Sequence, residues 1–412
     1  MSGHWRSWAA GAAAAVTLWA AAVPASAEPI RGAEWPLDAR HFDADRVWTV
    51  SRGDGVTVAV VDTGVAASHP DLAGQVLPGT SLLGDGGDGR SDTSEDSHGT
   101  AISGIIAGTG GTDGQGMFGL APGAKILPVK VASGEQMLPS VVAQAIVWAT
   151  DHGARVINVS LSTTTPDPLL KQAVAYALRK DAVVVAAAGN HGTAGNPVQY
   201  PAAFPGVVSV SGVNEDDSFW TPSESGAGVA VAAPASDIYS TNDIGQYVHA
   251  EGTSYAAGYV SATAALIRSR WPELTQGQAV RRLIGATKDH RNRPDPKFGY
   301  GLLDPFAALS ATIDTTDTGN PLDSPTAAPA RASASRWPAW LGWTAAVLAV
   351  LSVAVAAIVT RRRRTTWAAA MPSHPPVTPK SVGNARGQSA PGQPPRNGKN
   401  TRNAAKTAEK AR

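Results

Sequence analysis

Val56-Thr57-Val58-Ala59-Val60-Val61-Asp62-Thr63-Gly64 is the stretch on which the reading of this sequence turns. The run from Val56 to Val61 is apolar or β-branched and carries no charge. A strand buried on both faces reads this way, whereas a half-exposed strand alternates. A carboxylate follows directly, and a turn glycine comes two residues later. An acid at the end of a buried strand sits at the carboxyl edge of a sheet, held rigidly and partly out of water.

Working outward, Lys125 to Val131, Val156 to Val159, Val183 to Ala187 and Val207 to Val213 read as further strands. Between them lie helical spacings. Leu138, Val141, Val142, Ala145, Ile146 and Ala149 recur at intervals of three and four, with Gly153 as a stop. A second helical stretch, Ala256 to Arg270, ends before Pro272. Strands alternating with helices predict an α/β fold with a mostly parallel sheet covered on both sides. Sites in such sheets gather at the carboxyl ends of the strands. No internal repeat is visible.

Three motifs carry the chemistry. Asp62 ends the first strand. His98, in Asp96-Ser97-His98-Gly99-Thr100, precedes an apolar run and so opens a helix. Ser254, in Glu251-Gly252-Thr253-Ser254-Tyr255, also opens a helix, whose N-terminal dipole favours negative charge developing nearby. Each motif alone is weak. Most Asp-Thr-Gly turns are structural, and an aspartic protease would need a second copy from a second lobe, which this sequence lacks. Together they are specific. A serine hydroxyl needs a base to become nucleophilic, and the base needs a carboxylate to fix its tautomer and stabilise its cation. The strand Val183 to Gly189 ends at Asn190, whose amide can donate to an oxyanion alongside the Ser254 backbone N–H; the plain alternative is a Gly-Asn turn.

Asp62-Thr63-Gly64, His98-Gly99-Thr100, Ser160-Leu161-Ser162, Ala188-Gly189-Asn190 and Gly252-Thr253-Ser254, in that order, make residues 46–309 resemble the subtilisin family of serine proteases. The resemblance implies the three-layer subtilisin fold and endopeptidase activity. It implies Asp62, His98 and Ser254 as catalytic residues and Asn190 in the oxyanion hole. It also implies that Ser160, Leu161, Ser162, Ala187, Ala188 and Gly189 line a cleft and pair with the peptide as added strands. Two positions depart from the family's habit: Ser162 stands where Gly is usual, and Tyr255 where Met is common.

The flanks add an address. Residues 1–27 read as a signal peptide, with His4 and Arg6 before an Ala-rich apolar run and Ala25-Ser26-Ala27 as a cleavage site. Residues 28–45 form a short extension and 46–311 the peptidase domain. Residues 312–336 form a Pro/Ala/Thr-rich linker. Residues 337–360 carry no charge and end in Arg361 to Arg364, which predicts a transmembrane helix. Residues 361–412 make a basic tail with one acid, Glu409, too polar to fold. A single-pass cell-membrane protein follows, with an extracytoplasmic catalytic domain and a cytoplasmic tail. This layout, with the start Trp35-Pro36-Leu37-Asp38-Ala39, resembles the mycosins, the membrane-anchored subtilases of type VII secretion systems. That resemblance implies processing of exported substrates and contact with secretion-complex subunits. A structural subunit of that complex and a general degradative surface protease are the alternatives. Mycosins commonly carry disulfides, and this chain has no cysteine.

The remaining composition mostly excludes. Among the 412 residues, the absence of cysteine rules out thiol catalysis and Cys-ligated zinc. A formal net charge of +1, with no nucleic-acid motif, gives no reason to expect a nucleic-acid partner. No cofactor is expected. The loop holding Asp85, Asp88, Asp92, Glu95 and Asp96 is rich enough in oxygen for calcium, but its spacing matches no fixed pattern and a solvated loop is the expectation.

Overall fold

Uncharged β-branched runs satisfy both of their faces only when they lie between neighbouring strands and beneath helices. The computed structural model describes residues 30–134, 137–292 and 294–323. The chain divides into two units, 1–334 and 335–412, and every described residue belongs to the first. In chain order the elements are α1 (Ala44–Trp48), β1 (Thr57–Asp62), β2 (Thr80–Ser81), α2 (His98–Ala107), β3 (Lys125–Lys130) and α3 (Pro139–Asp151). There follow β4 (Val156–Val159), α4 (Pro168–Arg179), β5 (Val183–Ala187), β6 (Val208–Val213) and β7 (Val231–Pro234). The last are β8 (Ile238–Thr241), β9 (Tyr247–Ala250), α5 (Thr253–Arg270), α6 (Gln276–Gly285) and α7 (Pro305–Ser310).

Seven strands form one sheet in the order β2-β3-β1-β4-β5-β6-β7, and every pairing in it is parallel. β8 and β9 form a separate antiparallel hairpin. The period of two along β1 sorts its side chains between layers. Val58 and Val60 join the core that holds α2, α5 and α6, while Ala59 and Val61 join the core that holds α3 and α4. The result is the expected three-layer α/β fold. β1 lies between β3 and β4, where the chain order along the sheet reverses direction. A crevice opens at the carboxyl ends of strands at such a point, and Asp62 ends β1 there.

α5 is the central helix. Every residue from Thr253 to Arg268 is buried. A helix apolar or small on all sides belongs inside a core, and its many Ala, Gly, Ser and Thr residues let neighbouring elements approach closely. Its buried Arg268 is paired with Asp181 at 2.6 Å.

The expected single-pass membrane location is corrected at this point. Among the described residues no helix is long and apolar enough to cross a membrane. The longest, α5, has 18 residues, and it is packed inside the domain and ends in Arg268 and Arg270. Residues 337–360, on which the expected span rested, lie outside the described residues, as do the expected signal peptide and basic tail.

Residues 30–45 lie on the domain. The Trp35 indole N–H donates to the carbonyls of Ser236 and Asp237, at 3.2 and 3.1 Å. Phe42 packs edge-on against Tyr259 of α5, with ring centres 5.4 Å apart. Beyond 311, Ile313 and Leu322 pack on the same core, and the Asn320 side-chain amide donates to Gly206 O.

Candidate active site

The first residues of a helix have backbone N–H groups with no partner inside the helix. At α2 these orphans are met by side chains from the sheet edge and the preceding loop. His98 N donates to Ser94 Oγ, Gly99 N to Thr63 Oγ1 and Thr100 N to Asp92 Oδ2. Asp92 is buried and also accepts from the hydroxyls of Thr100 and Ser94, at 2.8 and 2.7 Å. The start of α2 is thus clamped to the end of β1. The approach is close enough to require a glycine: a Cβ on Gly99 would lie 2.1 Å from Gly64 O.

This clamp brings His98 onto Asp62. Asp62 is fully buried, and its Oδ1 accepts from His98 Nδ1 and from Thr63 N, both at 2.8 Å. With Nδ1–H spent on Asp62, Nε2 is left as the free acceptor of the imidazole. Burial disfavours the His98 cation, but the charge and hydrogen bond of Asp62 outweigh it. Asp96 and Asp92 add to that effect, and the histidine is pushed up to about 9.

Ser254 is the second residue of α5 and lines the same cleft as His98. Its Oγ donates to Ser160 O at 3.2 Å, and among the described residues no hydrogen bond joins it to His98. A rotation about χ1 would redirect the hydroxyl. Tyr255 lies edge-on to the His98 ring, with centres 5.9 Å apart, and burial pushes its phenol well above the usual range.

Asn190 follows β5. Its Oδ1 accepts from Thr253 N and Thr253 Oγ1, both at 2.9 Å. The side chain is therefore oriented by the first residue of α5, and its Nδ2 remains as a donor on a residue that lines the same cleft as Ser254. Ser160, Leu161 and Ser162, after β4, and Ala187 and Gly189, at the end of β5, line the cleft. Ala188, between them, is not among the residues lining the cleft, and its N–H donates to Val210 O of β6 at 2.8 Å. The arrangement can deprotonate a hydroxyl, hold the resulting imidazolium against a buried carboxylate, and offer an amide donor to a developing oxyanion.

Asp96, Gly134, His191 and Glu251 also line the cleft, and the sequence had not singled them out for it. The acidic loop that could have held calcium disperses instead. Asp85 Oδ1 accepts from Gly87 N, Asp88 pairs with Arg90 at 2.7 Å, and Asp92 turns inward to α2. Among the described residues no three acidic or histidine side chains gather as metal ligands.

Comparison with known proteins places this geometry. Residues 53–301 match the model of the Subtilase family. Fervidolysin of Fervidobacterium pennivorans is 33% identical over 68% of this chain, a match that spans only 44% of fervidolysin's own length. Mycosin-3 of Mycobacterium tuberculosis is 35% identical over 77% of this chain and 82% of its own. Among solved structures, MycP1 from the ESX-1 type VII secretion system superposes with a TM-score of 0.62 at 30% identity, covering 70% of this chain and 88% of that one.

Proposed function

The chain belongs to the subtilase family and is a subtilisin-type serine endopeptidase, and on that premise we propose that Asp62, His98 and Ser254 are its catalytic triad, acting on exported protein substrates of a type VII secretion system. The observation that carries the triad is the 2.8 Å bond from His98 Nδ1 to the buried Asp62, with Ser254 on the same cleft at the N-terminus of α5.

His98 Nε2 takes the Ser254 hydroxyl proton as Oγ attacks the scissile carbonyl carbon. Asp62 stabilises the imidazolium that forms. The carbonyl oxygen becomes an oxyanion and accepts from Asn190 Nδ2–H and from the Ser254 backbone N–H. The imidazolium then gives its proton to the leaving amine, and the same cycle with water releases the acyl group. The substrate lies extended between Ser160–Ser162 and Ala187–Gly189.

The secretion role is supported by the similarity to Mycosin-3 across most of both chains and to the MycP1 structure. The triad is tested by treating the folded full-length chain with a fluorophosphonate probe. Labelling of wild type and none of Ser254→Ala is expected. No labelling of folded wild type would refute the triad. The secretion role is tested by affinity capture of the tagged chain from its own cells. Secretion-complex subunits should be recovered with it, and their absence would leave a free-standing protease.

A further inference from the structure

Asn158 is the one polar side chain of β4, in Val156-Ile157-Asn158-Val159, and it is fully buried. In register it lies between Val60 of β1 and Val185 of β5. An amide in that place costs stability unless its hydrogen bonds are made. A further apolar residue would fill the strand without that cost. The amide's two ends are both used. Its Oδ1 accepts from Ser261 Oγ of α5 at 2.8 Å, and its Nδ2 donates to Ser160 Oγ, also at 2.8 Å. Since the Ser160 oxygen accepts from the amide, its own proton is directed away from it, and Ser160 Oγ donates to Ser254 O at 3.4 Å. Ser254 Oγ donates back to Ser160 O at 3.2 Å.

The bonds run one way, from Ser261 through Asn158 and Ser160 to the main chain of Ser254, and all four residues are buried. Ser254 and Ser261 stand seven residues apart on α5, which is two turns and so one face of the helix. The relay therefore ties the first two turns of α5 to the end of β4. Its direction matters. A reversed amide would take the Ser160 proton for its own oxygen and leave the Ser254 carbonyl without that donor. We propose that Asn158 is a positioning residue for the Ser254 nucleophile, acting through the Ser160 hydroxyl on the Ser254 main chain, an inference that rests on the triad reading given above. With the Ser254 carbonyl held, its hydroxyl passes from Ser160 O to His98 by rotation about χ1 alone, and the Ser254 N–H keeps its place as an oxyanion donor. A misplacement of about 1 Å at a reacting group can cost about 10² in rate.

The test uses the full-length chain, a fluorophosphonate probe and one internally quenched peptide that wild type cleaves. Asn158→Leu, Ser160→Ala and the two together are compared with wild type. Asn158→Leu should slow both probe labelling and kcat by about tenfold or more at temperatures where it is folded. KM should change little, and the pH midpoint of kcat/KM should stay where it is. Adding Ser160→Ala should slow labelling no further, because both substitutions cut the same relay. A purely structural amide would lower the thermal transition and leave the folded variant labelling at the wild-type rate, and that result would overturn the inference. Losses that multiply in the double variant would overturn it too, as would a shifted pH midpoint, which would place the effect on His98. If Asn158→Leu does not fold, Ser261→Ala decides, since it removes only the far donor of the relay: slower labelling supports the inference and unchanged labelling overturns it. Labelled wild type with unchanged variants would refute the positioning role alone, whereas no labelling of folded wild type would refute the triad reading beneath it.

Discussion

Asp62 and Glu34 are both buried carboxylates, one behind the cleft-lining His98 and one in the N-terminal stretch laid over the domain. Asp62 faces an imidazole, so its charge is used to hold a proton on His98. Among the described residues Glu34 hydrogen-bonds one backbone amide: both of its oxygens lie on Phe118 N, at 3.1 and 3.2 Å. Burial pushes the Glu34 carboxyl up to about 8, against the lowering effect of Phe118 N–H and of Arg31, while Asp71 pushes it further up. The same side-chain chemistry therefore has opposite outcomes. Where a partner able to carry positive charge is in contact, burial strengthens the pair. Where none is, the acid keeps its own proton.

The largest test of this contrast is Asp62→Asn. It keeps the size of the side chain and removes the charge that fixes the tautomer of His98. A loss of about 10⁴ in kcat is expected, with the thermal transition changed far less. A loss below about tenfold would mean that Asp62 serves only to fill space.

Glu34→Gln tests the other region. The folded-state value of Glu34 is raised above its unfolded value, so the folded form binds its proton more tightly. Its stabilisation is complete below the unfolded value of 4.5 and is lost as pH rises to about 8. Wild type should therefore lose stability across that window relative to Glu34→Gln, at a slope of at most roughly 1.4 kcal/mol per pH unit. Urea unfolding at pH 5, 6.5 and 8 checks this, and parallel curves for the two proteins would remove Glu34 as the cause.

Asp96→Asn is the smallest perturbation. The charge of Asp96 is exposed and contributes less than Asp62 to the raised His98 value. Since His98 acts as a base when neutral, kcat/KM should rise with pH toward a midpoint near 9 in wild type. In Asp96→Asn that midpoint should move down, by less than about one unit. A midpoint unmoved by this substitution would confine the control of His98 to Asp62 and Asp92.

The regions also differ in how far they could be read from sequence. Val156–Val159 and Val183–Ala187 are strands with the bounds their β-branched runs predict, because burial on both faces leaves an unbroken apolar signal. The residues of the proposed triad stand out because each lies at a junction that a strand or helix fixes. The apolar spacing marks α5 only from Ala256, whereas the Ser254 motif opens the helix one residue after its observed start at Thr253. Gly252 precedes it and offers no side-chain cap to mark the boundary. The hairpin of β8 and β9 went unread because its four-residue strands sit on a separate sheet whose second strand is mostly half-exposed. The clamp of Asp92 on Thr100 and the bond of Ser261 to Asn158 were also invisible. Their partners lie 8 and 103 residues apart, and they are joined by tertiary folding without periodic spacing. The expected membrane helix rested on a hydropathy pattern in 337–360, and the one long helix of the described chain owes its apolar character to the core around it.

That helix has a further consequence. Because Ser254 stands on the first turn of α5, and α5 is buried from Thr253 to Arg268, the proposed nucleophile has no local scaffold that could survive without the whole. Loops around a typical site open and close on their own, well below the free energy of global unfolding. Here the serine is fixed to the element with the least freedom to do so. Catalytic competence and cooperative foldedness then become one observable, and the chain would gain its power to cut only when the last of its core has locked.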